Sequence, residues 1–173
     1  PLKNPLKGIF SFWKEAGGEY RKLLAVFLLF GLINSSDLFL IMRGFEAGLN
    51  EASLIGAYIF YNLVYAIAAF PVGRLADKIG FKPVFLASLL VFALVYGALS
   101  FGLNDWGLFA VFGLYGIFAA GQESIAKAWI SLYVPAHARG TGMGLFQFLS
   151  TVVKLLASPL TGILWILTSG HTA

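Results

Sequence analysis

Four ionisable side chains lie inside long apolar stretches of the sequence: Asp37, Glu123, Lys127 and Lys154. A charged side chain in the hydrocarbon of a bilayer costs about 2.5–3.5 kcal/mol on insertion scales, so such residues normally face a cavity or one another. A lysine in such a cavity can bind an anionic group. A desolvated carboxylate can exchange a proton near neutral pH, because burial raises carboxyl pKa values. We therefore expect Lys127 and Lys154 to contact an anionic solute and Asp37 or Glu123 to take up a proton.

Other polar side chains recur near these charges at helical spacing. Asn34 shares a helical face with Asp37, and Glu123 precedes Lys127 by four residues, the order that favours an ion pair. Two further polar stripes occupy residues 58–65 and 147–161. Their members are Tyr58, Tyr61, Asn62 and Tyr65 in the first, and Gln147, Ser150, Thr151, Lys154, Ser158 and Thr161 in the second. We predict a solute site built from Asn34, Tyr58, Asn62, Tyr65, Gln147, Lys127 and Lys154.

Each of these groups also has a purely structural interpretation. Glu123 and Lys127 can simply neutralise each other. The tyrosines can serve helix packing with their hydroxyls bonded to backbone, and Lys154 can serve packing alone. Asp37 can form no more than a polar contact with Asn34. The sequence leaves these alternatives open.

Membrane-spanning helices must position these residues. Of the 173 residues, 59% are hydrophobic and 12% charged, against about 45–50% and about 25% in soluble domains. Five apolar segments approach the roughly 20 residues that cross hydrocarbon, and Pro159 is expected to kink the last of them. We predict an all-α membrane protein with a bundle of about five transmembrane helices. The segments are 23–45, 53–72, 84–103, 106–134 and 141–168.

The first 22 residues are basic and partly apolar. Ile9, Trp13, Ala16 and Tyr20 share one helical face, which predicts an amphipathic helix lying at the membrane interface; a solvated linker is the alternative. With the N-terminus in the cytoplasm, only Arg43 lies on the outer side, as the positive-inside rule requires. The net charge of +4 then needs no nucleic-acid partner. The cytoplasmic cations are Lys3, Lys7, Lys14, Arg21, Lys22, Arg74, Lys78, Lys82 and Arg139.

Two short motifs lie between the apolar segments. Residues 73–82 read GRLADKIGFK, and residues 135–144 read PAHARGTGMG. They resemble two landmarks of the major facilitator superfamily, G-x-L-(A/S)-D-(R/K)-x-G-(R/K)-(R/K) and P-x-x-x-R-G-x-x-x-G. Phe81 departs from the first, which has a basic residue there. We predict a cytoplasmic gating loop of Gly73, Arg74, Asp77, Lys78, Gly80 and Lys82, with Arg139 and Gly140 from the second motif.

The resemblance implies half of a facilitator-type transporter fold, helices seven to eleven of twelve. Residues 1–22 would correspond to the central cytoplasmic loop, and residues 23–173 to a C-terminal bundle without its last helix. The implied activity is secondary active transport by alternating access. The solute would be a small organic molecule, for which an anion and an exported compound are two options, with H⁺ as the coupling ion. The implied partners are the bilayer, in a bacterial inner membrane, and an N-terminal half-transporter.

A different class of function is a non-transporting half-transporter that acts as a binding or assembly protein in the membrane. We do not expect an enzyme, because the sequence contains neither H-E-x-x-H nor G-x-S-x-G. No cofactor is expected. The absence of cysteine excludes disulfides and thiolate metal sites.

Overall fold

A computed structural model of the chain describes residues 5–34, 38–46, 48, 50–99 and 105–169. All regular secondary structure in these ranges is helical, which confirms the predicted all-α class. A single 3₁₀ turn, Ala136–Ala138, precedes the last helix. The helices are α1 (Pro5–Glu15), α2 (Gly18–Ile33), α3 (Leu38–Glu46), α4 (Glu51–Ile79), α5 (Phe81–Leu99), α6 (Asp105–Ser131) and α7 (Arg139–Ser169).

Four stretches of these helices are long and apolar enough to cross a membrane, among the residues the structure describes. They are Glu51–Ile79, Phe81–Leu99, Trp106–Ser131 and Ala136–Leu160. The last helix continues through Pro159, at which we expected a kink. The protein is therefore an integral membrane protein by the length and composition of its helices.

The segment predicted as one span over residues 23–45 is divided between two helices. α2 ends at Ile33, Asn34 adopts an extended conformation, and α3 begins at Leu38. Asparagine has a low helix propensity because its side chain competes for backbone hydrogen bonds. α2 therefore ends before Asn34, inside a segment whose hydropathy alone predicts a continuous helix. Asp37 lies outside the described residues.

The connection between α4 and α5 is a single residue. The predicted loop over residues 73–82 is wrong in its extent, since α4 continues through Gly73, Arg74, Asp77 and Lys78 to Ile79. Arginine, leucine, alanine and lysine favour helix, and nothing requires a helix to end where hydrocarbon does. Gly80 makes the turn with φ +93° and ψ 156°, a conformation that glycine adopts readily. Lys82 already belongs to α5.

The chain forms two compact units, residues 1–36 with 128–173 and residues 37–127. In the first unit, α1 and α2 pack against α7. α2 and α7 run in the same direction, because residue numbers rise together along their contacts. These contacts are Tyr20 with Gly142, Phe27 with Phe146, and Gly31 with Val153. The basic N-terminal segment and Arg139 consequently lie at the same end of this unit.

The second unit is built around α6. Leu108, Phe112, Tyr115 and Phe118 of this helix are almost fully buried. Leu108 packs with Leu54 of α4 and Leu99 of α5, so α6 supplies the core against which α4 and α5 rest.

Candidate functional site

One of the predicted carboxylates, Glu123, meets one of the predicted tyrosines in the second unit. The hydroxyl of Tyr65 on α4 donates a hydrogen bond to Oε2 of Glu123 on α6 over 3.3 Å. Both side chains are partly buried. A tyrosine hydroxyl stabilises a carboxylate by donating to it without neutralising its charge. The i, i+4 pairing of Glu123 with Lys127 stays a prediction, and Lys127 is exposed.

A glycine two helical turns before Glu123 positions this contact. A Cβ atom at Gly116 would lie 2.7 Å from the carbonyl oxygen of Tyr61 and 3.1 Å from the backbone nitrogen of Tyr65. The backbones of α4 and α6 therefore touch here, which only a residue without a side chain permits. Sequence reasoning missed this residue, although small residues at 113, 116 and 121 are typical of close helix packing in membranes.

The remaining members of the α4 stripe divide between two environments. Tyr61 is buried and stacks on Tyr115 of α6, with ring centroids 5.4 Å apart. Tyr58 and Asn62 are exposed, and the Asn62 side-chain amide donates to the backbone carbonyl of Tyr58 over 2.8 Å. The role predicted for Tyr58 and Asn62 in contacting a solute stays a prediction.

The polar stripe of α7 lies in the first unit and points away from the packed face. Gln147 and Lys154 are exposed, whereas Phe146 and Ala157 are buried. The hydroxyl of Thr151 donates to the backbone carbonyl of Gln147 over 2.9 Å, so its lone pairs rather than its proton are available. An ammonium group donates hydrogen bonds and carries positive charge, which is the chemistry that an anionic group requires.

Asn34 follows the last residue of α2 in the same unit. Its side-chain oxygen is buried and accepts no hydrogen bond within the described part of the chain. A buried acceptor without a donor costs about 1–3 kcal/mol. This is the type of group that a bound molecule with an N–H or O–H donor would satisfy. Its predicted neighbour Asp37 is not among the described residues.

The residues predicted to gate the protein stand at helix ends. Arg74 places its guanidinium 4.5 Å from the centroid of the Phe70 ring, a cation–π contact on the same helix. Asp77, Lys78 and Lys82 are exposed around the buried Ala76. In the other unit, Arg139 and Gly140 form the exposed start of α7.

Among the described residues, no group of three His, Asp or Glu side chains could hold a metal ion.

Comparison with known proteins gives one family. The family model described as the Major Facilitator Superfamily matches residues 22–171. An uncharacterized MFS-type transporter from Methanocaldococcus jannaschii is 32% identical over 158 residues, which cover 88% of this chain and 40% of the relative. The niacin transporter NiaP of Acinetobacter baylyi is 39% identical over 75 residues, 43% of this chain and 17% of that protein.

A third relative is the quinolone resistance transporter of Acinetobacter baumannii. It is 27% identical over 122 residues, 70% of this chain and 28% of that protein. The chain thus spans at most about two-fifths of the length of these relatives. No solved structure matches the chain.

Proposed function

The chain belongs to the major facilitator superfamily, and from this premise we propose that it acts as the C-terminal half of a secondary active transporter. The family and the named relatives indicate a transporter rather than an enzyme. In this proposal residues 1–22 are the cytoplasmic lead-in, and residues 23–173 correspond to helices seven to eleven of the bundle. A half-transporter with a complementary N-terminal half would move its solute by alternating access.

The observation that carries the proposal is the contact between Tyr65 and Glu123. A carboxylate inside a membrane-spanning helix is expensive, and such residues are functional by default. Glu123 accepts from a neutral hydroxyl that can equally remain beside the protonated acid. Proton uptake there would leave the site intact while changing its charge, which is what coupling to H⁺ requires. Asp37 is the second proposed proton acceptor.

The proposed solute is a small organic anion. Lys154 supplies the charge that would bind it, and Lys127 a second positive charge. The other residues proposed to contact the solute are Asn34, Tyr58, Asn62, Tyr65 and Gln147. One relative is named for niacin, an aromatic carboxylic acid, and another for quinolone resistance. Niacin is therefore the first probe, and the direction of movement, uptake or export, is read from the same assay.

The inner gate in this proposal is the end of α4 with the start of α5. Arg74, Asp77, Lys78, Gly80 and Lys82 would open and close it, together with Arg139 and Gly140 at the start of α7. The parallel course of α2 and α7 supports placing the N-terminal segment and Arg139 on one side of the membrane. By the positive-inside rule that side is the cytoplasm. The proposed location is a bacterial inner membrane.

The test is solute flux across proteoliposomes under an imposed pH gradient. We expect niacin flux from the chain alone, or from the chain reconstituted with the N-terminal half of a relative. Lys154→Ala should lower the flux without lowering the amount of protein in the membrane, whereas Lys22→Ala should not. Lys22 is a suitable control because it is exposed and its ammonium lies 2.9 Å from Glu19.

Flux that Lys154→Ala leaves unchanged would remove Lys154 from the site. Flux in neither preparation, with niacin or with other organic anions, would contradict the transporter proposal. The result would then favour the alternative, a membrane binding or assembly protein built on half of the fold.

A further inference from the structure

One side of α1 is docked on the protein. Phe12 and Ala16 are buried, and the Phe12 ring meets the Tyr20 ring edge-on with centroids 5.1 Å apart. The buried Tyr20 hydroxyl in turn donates to the backbone carbonyl of Gly142 over 2.8 Å. α1 is thereby fixed to the start of α2 and to the start of α7. It is neither a free helix nor a solvated linker.

The exposed aromatic residues of α1 lie on another side. Phe10 is 68% exposed and Trp13 41% exposed. They are three residues apart, so they are neighbours on the helix surface. The sequence predicted Trp13 to lie on the same face as Ala16 and Tyr20, and this is wrong, because Phe12 fills that place. The structure therefore leaves most of Phe10 and about two-fifths of Trp13 accessible among the described residues.

Positive charge surrounds this aromatic pair. Lys14 is exposed next to Trp13, and the Arg21 guanidinium lies 5.2 Å from the centroid of the Trp13 ring. The acidic residue of α1 is on a different side, where Glu15 lies 3.5 Å from His137. α1 thus separates its surface into a docked side, a polar side and an aromatic side flanked by cations.

We propose that the aromatic side of α1, defined by Phe10, Trp13 and Lys14 together with the adjoining Arg21 of α2, binds the surface of a bilayer that contains anionic phospholipid. Phe10 and Trp13 enter between the headgroups, the depth that such rings favour. Lys14 and Arg21 contact the phosphates, which attract basic segments beside a membrane. The positive charge of this segment favours an anionic lipid surface as its binding partner. Residues 1–22 carry five Lys and Arg against two Glu, and the helix is held beside membrane-spanning helices.

The binding has a structural consequence. Since the Tyr20–Gly142 hydrogen bond joins this segment to the first turn of α7, attachment of α1 to lipid fixes the level of that helix end at the membrane surface. The lipid charge thus influences the position of α7 through the Tyr20–Gly142 hydrogen bond. The same helix carries Lys154.

The test uses the absence of cysteine from the chain. Phe10→Cys is labelled with an NBD fluorophore, an apolar aromatic group that takes the place of the phenyl ring. The protein is placed in nanodiscs of phosphatidylcholine, or of phosphatidylcholine with phosphatidylglycerol. We expect a blue shift and stronger NBD emission in the anionic discs only. Ser11→Cys, which carries the label on the polar side, should give the same emission in both lipids.

A second pair of variants tests the charges. In the labelled Phe10→Cys protein, Lys14→Gln with Arg21→Gln should abolish the difference between the two lipids. Lys22→Gln should preserve it, because Glu19 already compensates Lys22. Equal thermal unfolding of the variants in detergent verifies that they are folded. A probe that is equally exposed in both lipids overturns the proposal. A probe that is equally shielded in both also overturns it, since this would indicate a protein partner or binding without charge.

Discussion

Tyr65 on α4 donates a hydrogen bond to Glu123 on α6 over 3.3 Å, joining two residues that are 58 positions apart in the sequence. The contact ties a polar side chain of one membrane-spanning helix to the acid of another. Both residues belong to the same compact unit, so their geometry is fixed by the packing of α4 on α6.

The proposed role of this contact predicts the behaviour of Tyr65→Phe. A hydrogen bond to a charged group contributes about 1.5–3 kcal/mol, and 1.4 kcal/mol corresponds to tenfold in a rate or an equilibrium. Since both side chains are only partly buried, we expect a loss of up to about tenfold in pH-gradient-driven flux. The measurement is initial flux into proteoliposomes. Tyr133→Phe, an identical change at an exposed residue of the other unit, should leave the flux unaltered. Equal losses in the two variants would assign no special role to Tyr65.

The close approach at Gly116 predicts the effect of adding one methyl group. With a Cβ atom only 2.7 Å from the Tyr61 carbonyl oxygen, Gly116→Ala must push α4 away from α6. Overpacking of this kind destabilises by about 1–3 kcal/mol. Thermal unfolding in detergent, followed by circular dichroism, measures the change. Gly97→Ala on α5 is the matched control, because a Cβ there meets nothing within 4 Å. A Gly116→Ala protein as stable as the control would show that the two backbones separate freely.

Tyr20 predicts a loss of stability at alkaline pH. Burial disfavours the phenolate and raises the pKa of Tyr20 from 10.0 to about 12. The folded protein therefore holds this proton more tightly than the unfolded chain does. The contribution is complete below pH 10 and is lost as the pH rises towards 12, by roughly 2–3 kcal/mol in all.

We expect Tyr20→Phe to be about 1 kcal/mol less stable at neutral pH, because it lacks the hydrogen bond to Gly142. Its stability should then fall less steeply than that of the unsubstituted protein between pH 10 and pH 12. Urea unfolding across this range provides the comparison. The exposed Tyr133 again serves as the control, and Tyr133→Phe should retain the steep fall. Parallel curves for all three proteins would refute the assignment to Tyr20.

Gly80 predicts a strained substitution. Its φ of +93° with ψ of 156° belongs to a region that is essentially restricted to glycine, and other residues there lose of order 1–3 kcal/mol. Gly80→Ala should lower the thermal stability accordingly. Gly73→Ala, seven residues earlier inside α4 and in open space, should be neutral or raise stability by up to about 1 kcal/mol. Both variants add one methyl group, at a positive φ in one case and inside a helix in the other. A Gly80→Ala protein at least as stable as Gly73→Ala would contradict the strain assigned to Gly80.

Much of the helical organisation follows from hydropathy and local chemistry. The segment predicted to begin at residue 53 starts close to the observed start of α4, where the Asn50 side chain accepts from the backbone N–H of Ser53 over 2.8 Å. Hydropathy gives the wrong helix end where a helix continues beyond its apolar stretch. α4 therefore exceeds its predicted end at Val72 by two turns. It fails again at Asn34, where weak helix propensity divides an apolar segment.

Less of the candidate site than of the fold could be predicted from the sequence. Periodicity gives the direction of a side chain around its own helix, but not the helix that it faces. The polar stripe on α4 was therefore predictable, whereas the meeting of Tyr65 with Glu123 was not. The same limit explains α1, where Phe12 and Trp13 are adjacent and both apolar, and only the packing on Tyr20 decides which of them is buried.

The one-residue connection at Gly80 has a mechanical consequence. Two helices joined by a long loop can slide past each other, because the loop supplies slack. Here the backbone of α4 passes directly into α5, so a displacement of one helix along its axis pulls the other with it. We therefore expect the hairpin of α4 and α5 to move as one body, so that any sliding within this unit occurs at its contacts with α3 and α6.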